Sequence, residues 1–367
     1  MLTRIHVDNY KCLTNFDLRL SELTLLLGDN GSGKSAVFEV VNKLREFLSG
    51  ESRVDRLFST SDITSWTTKT EQRFELEFSD KNGVLTYELT IDQYTEKKID
   101  RVKAERLTAG GKPLFSFELG KVQLYRDNHS KGPTYSYDWT QSGLAFVGGR
   151  HDNRQLCRFR DTLRRFQSLS LRPASISGVS EGESDVLDHT GENFASWYRG
   201  RSLENPEHVQ QAVSRLQDVL PGFVGLKLSQ RSGDHRELLA QFAPPGEAAV
   251  QSYRFDRLSD GQRALIVLYM LTFADEPSGI PRTLFLDEPD NYVTLPELQP
   301  WLAALEDGCG VELPQTVIIS HHPEAIDFLS DKAVWLAREP ESQTRIVDVA
   351  NDTGLRLSEL HARGWAP

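Results

Sequence analysis

The chain has 367 residues, of which 38% are apolar, and a formal net charge of −11 at pH 7. This length can bury a sizeable core without disulfide bonds, in one large domain or two smaller ones. The acidic balance argues against a protein that coats nucleic acid through bulk electrostatics, but it leaves room for a local basic patch.

Targeting signals are not evident in this sequence. No apolar run approaches the roughly 20 residues of a membrane-spanning helix, and the first residues lack the basic and apolar regions of a signal peptide. The three cysteines are too few and too scattered for a disulfide framework or a zinc motif. We therefore expect a cytoplasmic protein without membrane contact.

The first part of the chain predicts a strand, a glycine-rich loop, a helix and then a sheet. Leu23–Leu27 is a continuous apolar run that is typical of a buried strand, and helical spacing of apolar residues extends from Ala36 to Leu48. Between about residues 70 and 140, apolar and polar residues alternate and turn sequences interrupt them. We expect an antiparallel β-rich insertion after the first helix.

The second part alternates between helical and strand-like segments. Residues 150–168 and 206–220 show helical spacing, and Gln262–Phe273 predicts a strongly apolar helix. Thr283–Leu286 and Val317–Ile319 are short apolar runs that indicate buried strands. Buried strands that alternate with helices predict an α/β fold.

The glycine-rich loop at residues 28–35 reads Gly-Asp-Asn-Gly-Ser-Gly-Lys-Ser, which matches the phosphate-loop pattern G-x-x-x-x-G-K-[ST]. A triphosphate needs several backbone N–H groups that point inward, and glycine leaves room for its close approach. Lys34 would reach the β- and γ-phosphates, and the Ser35 hydroxyl would hold Mg²⁺. The candidate nucleotide-binding residues are Gly28, Asp29, Asn30, Gly31, Ser32, Gly33, Lys34, Ser35 and Ala36.

An acidic pair follows the predicted strand at residues 283–286. Carboxylates at the C-terminal end of a buried strand face the ligand crevice of an α/β sheet. Asp287 would hold Mg²⁺ through water, and Glu288 would polarise the water that attacks the phosphate. Without other motifs, an acidic pair at the end of a strand would be read as an ordinary strand end. The phosphate loop in the same chain favours a role in nucleotide hydrolysis.

Two further motifs have a structural interpretation beside a functional one. Ser259 precedes the apolar helix, where serine is a natural helix cap. His321 and His322 follow the apolar strand at residues 317–319, and two adjacent histidines can bind a metal ion. No third ligand at metal-binding spacing is visible, which disfavours a metal site.

Together these four motifs resemble the ABC-type ATPases. The Leu258-Ser259-Asp260-Gly261-Gln262 stretch is similar to their Leu-Ser-Gly-Gly-Gln signature. The resemblance implies that Ser259 and Gly261 contact the γ-phosphate bound by the opposite protomer, and that His321 is the switch histidine. The signature lies much farther from the phosphate loop than in transporters, and Asn9-Tyr10-Lys11 looks like the start of the SMC, RecF and OLD-like branch.

The resemblance implies one ATPase head that spans residues 1–367. Residues 1–150 and 280–367 would form the nucleotide-binding lobe with its β insertion, and residues 150–280 a small helical lobe that carries the signature. ATP and Mg²⁺ would be the cofactors. Gln167 is the candidate for the residue that senses Mg²⁺ between the lobes, with a plain polar residue at a helix end as the alternative.

Three functional hypotheses follow. The first is an ATPase that closes into a homodimer or higher homo-oligomer on Mg-ATP and regulates a separate effector, such as a nuclease or toxin in bacterial anti-phage defence. The stretch after His321 is too short for the Toprim domain of the OLD nucleases, so we expect no built-in effector.

The second hypothesis is a RecF-like DNA-binding ATPase in repair or recombination, with Arg154, Arg158 and Arg165 on one helix face. The third is an ATP-binding scaffold with little turnover, because the turn after Pro289 departs from the family sequence.

Overall fold

A computed structural model of the protein describes residues 1–94, 99–243, 249–274, 282–340, 342–348 and 354–363. These residues form two compact units. The first contains Met1–Phe166 and the C-terminal residues from Asp331 onward, and the second contains residues 167–274 and Leu284–Ser330. The bounds differ from those of the predicted lobes because residues 284–330 group with residues 167–274. The predicted boundary at residue 280 lies outside the described residues.

The N-terminal segment of the first unit begins with the predicted strands, loop and helix and continues as a long series of strands. The helix that follows the glycine-rich loop is amphipathic, and its apolar residues, among them Val37, Val40 and Leu44, are buried. The elements are β1 (Leu2–Asp8), β2 (Phe16–Arg19), β3 (Leu23–Leu27), α1 (Lys34–Ser49), α2 (Val54–Leu57), β4 (Glu71–Asp80), β5 (Gly83–Tyr94), β6 (Ile99–Ala109), β7 (Lys112–Glu118), β8 (Lys121–Tyr125), β9 (Lys131–Ser136) and α3 (Arg154–Arg164).

The predicted β-rich insertion forms strands β4 to β9 of an antiparallel sheet, and β1 and β2 from the start of the chain complete it in the order β2-β1-β4-β5-β6-β7-β8-β9. Phe74, Leu76 and Phe78 of β4 are buried on one face, and charged residues alternate with them. Phe78 packs edge-on against Phe159 of α3, with 5.3 Å between the ring centres. The alternation in the sequence thus becomes an apolar face that a helix covers.

A carboxylate is buried in this sheet. Glu105 of β6 accepts hydrogen bonds from the Tyr87 hydroxyl at 3.1 Å, the Ser142 hydroxyl at 2.6 Å and the Gly143 amide at 2.9 Å. Burial raises the pKa of Glu105 to about 7, because these three donors compensate only part of the cost of removing the charge from water. Glu105 therefore connects the sheet to the segment at residues 142–143 at some cost in stability near neutral pH.

We expect the Glu105→Gln variant to change how stability depends on pH. In the unfolded chain this carboxyl ionises near 4.5, whereas in the folded chain it retains its proton up to about pH 7. The stability that the protonated carboxyl contributes is therefore fully present below pH 4.5 and is lost as the pH rises to about 7. The change in the free energy of unfolding is about 3 kcal/mol. Urea unfolding between pH 5 and pH 8 measures this change, as the difference in the free energy of unfolding between wild type and variant. Glu118→Gln, at an exposed position of β7, is the control, and a difference that stays constant with pH would contradict the expectation.

The second unit contains a small antiparallel sheet and several helices around one apolar helix. β13 lies between β12 and β11 and also pairs with β14, while β10, β15 and β16 are neighbours in that order. Ala264–Phe273 is buried on every side, as the strongly apolar sequence predicts. The elements are β10 (Phe166–Leu169), β11 (Val179–Ser180), α4 (Phe194–Glu204), α5 (Pro206–Val219), β12 (Phe223–Ser232), β13 (His235–Phe242), β14 (Gln251–Arg254), α6 (Asp260–Phe273), β15 (Thr283–Asp287), α7 (Leu295–Gly308), β16 (Gln315–Ile319) and α8 (Pro323–Phe328).

The helix predicted for residues 150–168 is shorter in the structure. Helix α3 ends at Arg164, and Phe166–Leu169 forms strand β10. Leu169 and Leu171 alternate with serines, a pattern of period two that the helical spacing before it had obscured. Gln167 is accordingly a strand residue and not the polar end of a helix.

The C-terminal segment of the first unit adds strands beside β3, the strand that precedes the glycine-rich loop. Its elements are β17 (Ala333–Ala337), β18 (Arg345–Val347) and α9 (Leu357–Ala362). β17 pairs in parallel with β3, and β18 pairs with β17 in the antiparallel direction. Among the described residues, no helix has the length and apolar character needed to cross a membrane.

Candidate functional site

The phosphate loop begins where the fully buried strand β3 ends. Gly28, Gly31 and Gly33 all have positive φ, which only glycine adopts without strain. A Cβ atom on Gly28 would lie 2.1 Å from the backbone oxygen of Leu336, so this position has no space for a side chain. Nothing lies within 4 Å of the corresponding point on Gly31, so that part of the loop is open. Such a loop can receive a phosphate without obstruction.

Lys34 lies across the phosphate loop. Its ammonium group donates hydrogen bonds to the backbone oxygens of Gly28 at 2.5 Å and Asp29 at 3.1 Å. Ser35, in the first turn of α1, is exposed, and Ala36 is buried beside it. Of the other loop residues in the predicted set, Asp29 and Asn30 are exposed and Ser32 is buried. The predicted residues thus form one continuous loop and helix start, as phosphate binding requires.

A hairpin from the C-terminal segment supports the same loop. The Thr344 hydroxyl donates to the backbone oxygen of Ser32 at 2.8 Å, and the Arg338 guanidinium donates to that of Gly31 at 3.2 Å. The buried Ser32 hydroxyl has no hydrogen-bond partner of its own. The sequence reasoning did not find Arg338 and Thr344, because no motif joins them to the loop.

In the second unit, the acidic pair lies at the end of strand β15, of which Asp287 is the last residue. Asp287 is half-buried at the end of the strand, and Glu288 has a φ of 49°, a left-handed conformation that is uncommon for residues other than glycine. The Glu288 amide donates to the backbone oxygen of Ile319 in β16 at 2.8 Å. The backbone thus holds Glu288 beside the end of the strand that leads to His321.

The side chain of Glu288 has a neighbour at each oxygen. The Asn291 amide donates to Oε2 at 2.6 Å, and His321 Nε2 lies 3.7 Å from Oε1. Both the carboxylate and the imidazole remain partly exposed. The structure therefore brings the two predicted catalytic residues Glu288 and His321 together, and it adds Asn291, which the sequence reasoning had left unassigned.

Asp290 joins the turn after β15 to the turn after β16. This buried carboxylate accepts a hydrogen bond from the Ser320 hydroxyl at 2.5 Å, and the His322 amide donates to that hydroxyl at 3.0 Å. Burial raises the pKa of Asp290. His322 also caps α8, where its Nδ1 accepts from the Glu324 amide at 3.3 Å. His322 is thus a structural residue, and His321 is the histidine that faces Glu288.

The signature stretch lies at the N-terminus of α6. Ser259 and Gln262 form a capping box, in which each side chain accepts a hydrogen bond from the backbone amide of the other residue. A Cβ atom on Gly261 would lie 2.6 Å from the backbone oxygen of Tyr292, in the turn that follows Glu288. Ser259 is therefore a helix cap in this chain, and Gly261 allows the signature helix to contact that turn directly.

Each unit has an oxygen donor of the kind that Mg²⁺ prefers. Mg²⁺ usually retains several waters and needs only one or two protein oxygens beside the phosphate oxygens of a nucleotide. Ser35 of the first unit has an exposed hydroxyl, and Asp287 of the second unit has a half-buried carboxylate. Among the residues that the structure describes, no group of three or more histidine, cysteine, aspartate or glutamate residues is placed to hold a metal ion alone.

The predicted arginine stripe is incomplete. Arg165 follows the last residue of α3, so the helical spacing that aligned it with Arg154 and Arg158 does not apply. Arg158 pairs with Asp80 at 3.0 Å, whereas Arg154 is exposed. Two of the three predicted arginines therefore lie within the helix, and one of these two pairs with an acidic side chain.

The phosphate loop and the surrounding fold define an ABC-type P-loop ATPase head, as predicted. Three solved structures share the fold. One is an Smc head bound to the C-winged helix domain of ScpA, with a TM-score of 0.58, 12% identity and coverage of 96% of this chain and 99% of that one. The others are Smc head domains from Pyrococcus yayanosii (TM-score 0.53, 10% identity, 99% of each chain) and Pyrococcus furiosus (TM-score 0.51, 10% identity, 99% of this chain and 98% of that one).

Residues 23–327 match the family described as "AAA domain, putative AbiEii toxin, Type IV TA system". The chain belongs to this family, which confirms the predicted relation to SMC-like ABC-type ATPases. No curated protein matches the chain in sequence.

Proposed function

We propose that the protein binds Mg-ATP, closes into a head-to-tail homodimer around it, and hydrolyses it. Lys34 and the loop amides hold the phosphates. Ser35 and Asp287 would hold Mg²⁺, which would neutralise charge on the phosphate oxygens. Glu288 accepts a proton from the attacking water, and His321 stabilises charge on the γ-phosphate. The observation that carries the proposal is Glu288 itself, an acid in a left-handed turn with Asn291 and His321 at its two oxygens.

In the proposed homodimer, the signature of one protomer contacts the nucleotide that the other protomer binds. The first turn of α6 offers free N–H groups and the positive end of a helix dipole, which suit an anionic phosphate. Ser259 fixes this turn through the capping box, and Gly261 leaves no side chain in the way. One solved structure that shares the fold, an Smc head from Pyrococcus furiosus, is bound to a different protein, ScpA, which supports a separate protein partner for this chain.

We further propose that the ATPase regulates a separate effector protein. The family description names a toxin and a toxin–antitoxin system, which favours an effector of that kind over DNA repair. The incomplete arginine stripe of α3 weakens the alternative of direct DNA binding. An effector is expected to associate with the ATP-bound protein and to be released when ATP is hydrolysed.

The Gly261→Ala variant tests the dimer. Its methyl group collides with the backbone oxygen of Tyr292, so the start of α6 has to move away from the turn. Static light scattering should show that Mg-ATP doubles the mass of the wild type and leaves the variant monomeric, while the variant still binds ATP through its intact phosphate loop. Gly182→Ala is the control, since nothing lies within 4 Å of its added atom. A wild-type mass that ATP does not change would overturn the dimer proposal.

A further inference from the structure

The last strand of the eight-stranded sheet has an open edge. Strand β9 pairs with β8 on one side, and among the described strands none pairs with its other side. The Tyr137 amide donates to the backbone oxygen of Gly120, just before β8, at 2.8 Å. Because successive residues of a strand bond in opposite directions, the N–H and C=O groups of Thr134 and Ser136 point away from β8. Another strand could form hydrogen bonds with these groups.

The apolar face of the sheet continues to this edge. Tyr135 stands opposite the fully buried Val122, so its ring lies on the apolar face. The ring centres of Tyr135 and Tyr137 are 6.5 Å apart, and those of Tyr137 and Phe146 are 6.4 Å apart. Tyr135 is 37% exposed and Phe146 is 59% exposed. A row of three aromatic rings thus lines the open edge, where a further strand would cover it.

The segment that carries Phe146 is fixed to the chain around it. Just before Phe146, the Ser142 hydroxyl and the Gly143 amide bond the buried carboxylate of Glu105. A Cβ atom on Gly50, at the end of α1, would lie 2.5 Å from the Phe146 ring, so the ring rests on the backbone there. The aromatic row is therefore in place before a partner arrives, which lowers the entropy cost of binding.

The surroundings of β9 carry more positive than negative charge. β9 itself contains the exposed Lys131 and no acidic residue. Arg126 and Arg150 pair with a single carboxylate, that of Asp152, at 3.1 Å and 3.4 Å. Burial raises the pKa of Tyr135 and the charge of Arg150 opposes that rise, so this cation lies near the aromatic row. Three cations thus accompany one acidic group, in a chain whose net charge is −11.

Two other carboxylates in this region are bonded to backbone amides of the chain itself. Asp127 accepts from the amides of Arg154 at 2.9 Å and Gln155 at 3.1 Å, at the start of α3. Asp138 accepts from the Thr140 amide at 2.8 Å. Both carboxylates therefore serve the fold, and the cations beside β9 favour an acidic partner over a basic one.

We propose that the effector docks at β9, where an acidic, extended segment of it adds a ninth strand to the sheet. The segment forms backbone hydrogen bonds with Thr134 and Ser136. Its alternate apolar side chains cover the aromatic row, and its carboxylates pair with Lys131 and the two arginines. This inference rests on the proposed effector and adds the surface that receives it and the chemistry of the segment that binds.

A second copy of this chain suits the edge less well. Pairing β9 with β9 would bring Lys131, Arg126 and Arg150 of both chains to one interface, where like charges repel. A partner strand that carries carboxylates avoids this repulsion and pairs with the same cations.

Fluorescence anisotropy with a labelled acidic peptide, Asp-Val-Glu-Val-Thr-Val-Glu-Val-Asp, tests the proposal on the full chain, with and without Mg-ATP. We expect the wild type to bind the peptide and Ser136→Pro to weaken binding at least about tenfold, because proline removes an outward N–H group. Ser136→Ala is the matched control, since it retains that N–H and removes only an exposed hydroxyl. It should bind as the wild type does, and circular dichroism verifies that both variants are folded.

The aromatic row and the charges are tested separately. Phe146→Ala should weaken peptide binding about fivefold, because it removes one of the rings that the added strand covers. Tyr253→Ala is its control, since Tyr253 is 43% exposed and lies in the second unit. Lys131→Glu should weaken binding of the acidic peptide and strengthen binding of a peptide with lysine at each acidic position.

The results separate the docking site from its alternatives. A wild type that does not bind the acidic peptide, or a Ser136→Pro variant that binds it equally well, would overturn the docking site. Equal binding of the acidic and the lysine peptide would overturn the acidic partner. If the wild type is a dimer without ATP and Ser136→Pro is a monomer, the edge pairs with a second copy instead. A chain that binds Mg-ATP in calorimetry but neither peptide loses the docking site alone, and the proposed ATP site stands.

Discussion

Glu288→Gln is expected to lower ATP turnover at least about 100-fold while ATP binding is retained. A general base contributes roughly 10²- to 10⁴-fold to the rate, and glutamine has nearly the same shape as glutamate but cannot accept the proton of the attacking water. Asn291 donates to Glu288 Oε2 at 2.6 Å, and it can donate in the same way to the amide oxygen of glutamine, so the turn should keep its geometry. Phosphate release under single- and multiple-turnover conditions measures the effect.

The mass of Glu288→Gln provides a second, independent readout. If hydrolysis opens the dimer, the variant should remain dimeric with Mg-ATP for much longer than the wild type, which light scattering follows over time. Glu312→Gln, at an exposed position in the same unit, is the control and should behave as wild type. Phosphate release at the wild-type rate would refute the role of Glu288. A wild type that binds ATP but releases almost no phosphate would instead be described as an ATP-binding scaffold.

Lys34→Ala is expected to weaken ATP binding by about 100-fold or more and to abolish turnover. The charge-assisted contacts of one ammonium with two phosphates are among the strongest that a loop can make. The substitution also leaves the backbone oxygens of Gly28 and Asp29 without the donor that holds them at 2.5 Å and 3.1 Å. Calorimetric titration with Mg-ATP measures the loss, and circular dichroism verifies that the variant is folded.

Lys121→Ala serves as the control for Lys34→Ala, because Lys121 is an exposed lysine in the same unit. It removes an equal charge from the protein but none from the phosphate loop. If both variants bind ATP equally well, general charge and not the loop governs binding, and the nucleotide site has to be sought elsewhere. If only Lys34→Ala loses ATP, the phosphate loop is confirmed as the binding element.

The parts of the site that are contiguous in sequence could be predicted from it. The phosphate loop, the acidic pair and the capped helix start each need a particular run of residue types, and that run is visible without a structure. Arg338 and Thr344 could not be found in this way. Each acts through a side chain whose partner lies far away in the sequence, and nothing in the local pattern indicates that partner.

The sheet gives a second example of this limit. A regular alternation would not place both Val102 and Glu105 on the buried face, because they are three residues apart. The pairing of β5 with β6 contains an irregularity at this point, where Ile91 pairs with Val102 and Thr90 with Ala104. The extra residue shifts the alternation and turns Glu105 inward. Such a bulge depends on pairing between strands, which the sequence of one strand does not reveal.

The support of the phosphate loop by Arg338 and Thr344 has a consequence for the newly made protein. These residues are 307 and 312 positions away from the loop residues Gly31 and Ser32 that they bond. At synthesis rates of roughly 5 to 20 residues per second, the ribosome reaches them about 15 to 60 seconds after it has made the loop. Throughout that interval the nascent chain carries the complete ATP-binding motif without the hairpin that shapes it. We therefore expect a nascent chain to bind nucleotide only after Thr344 has been made and the hairpin has paired with the phosphate loop.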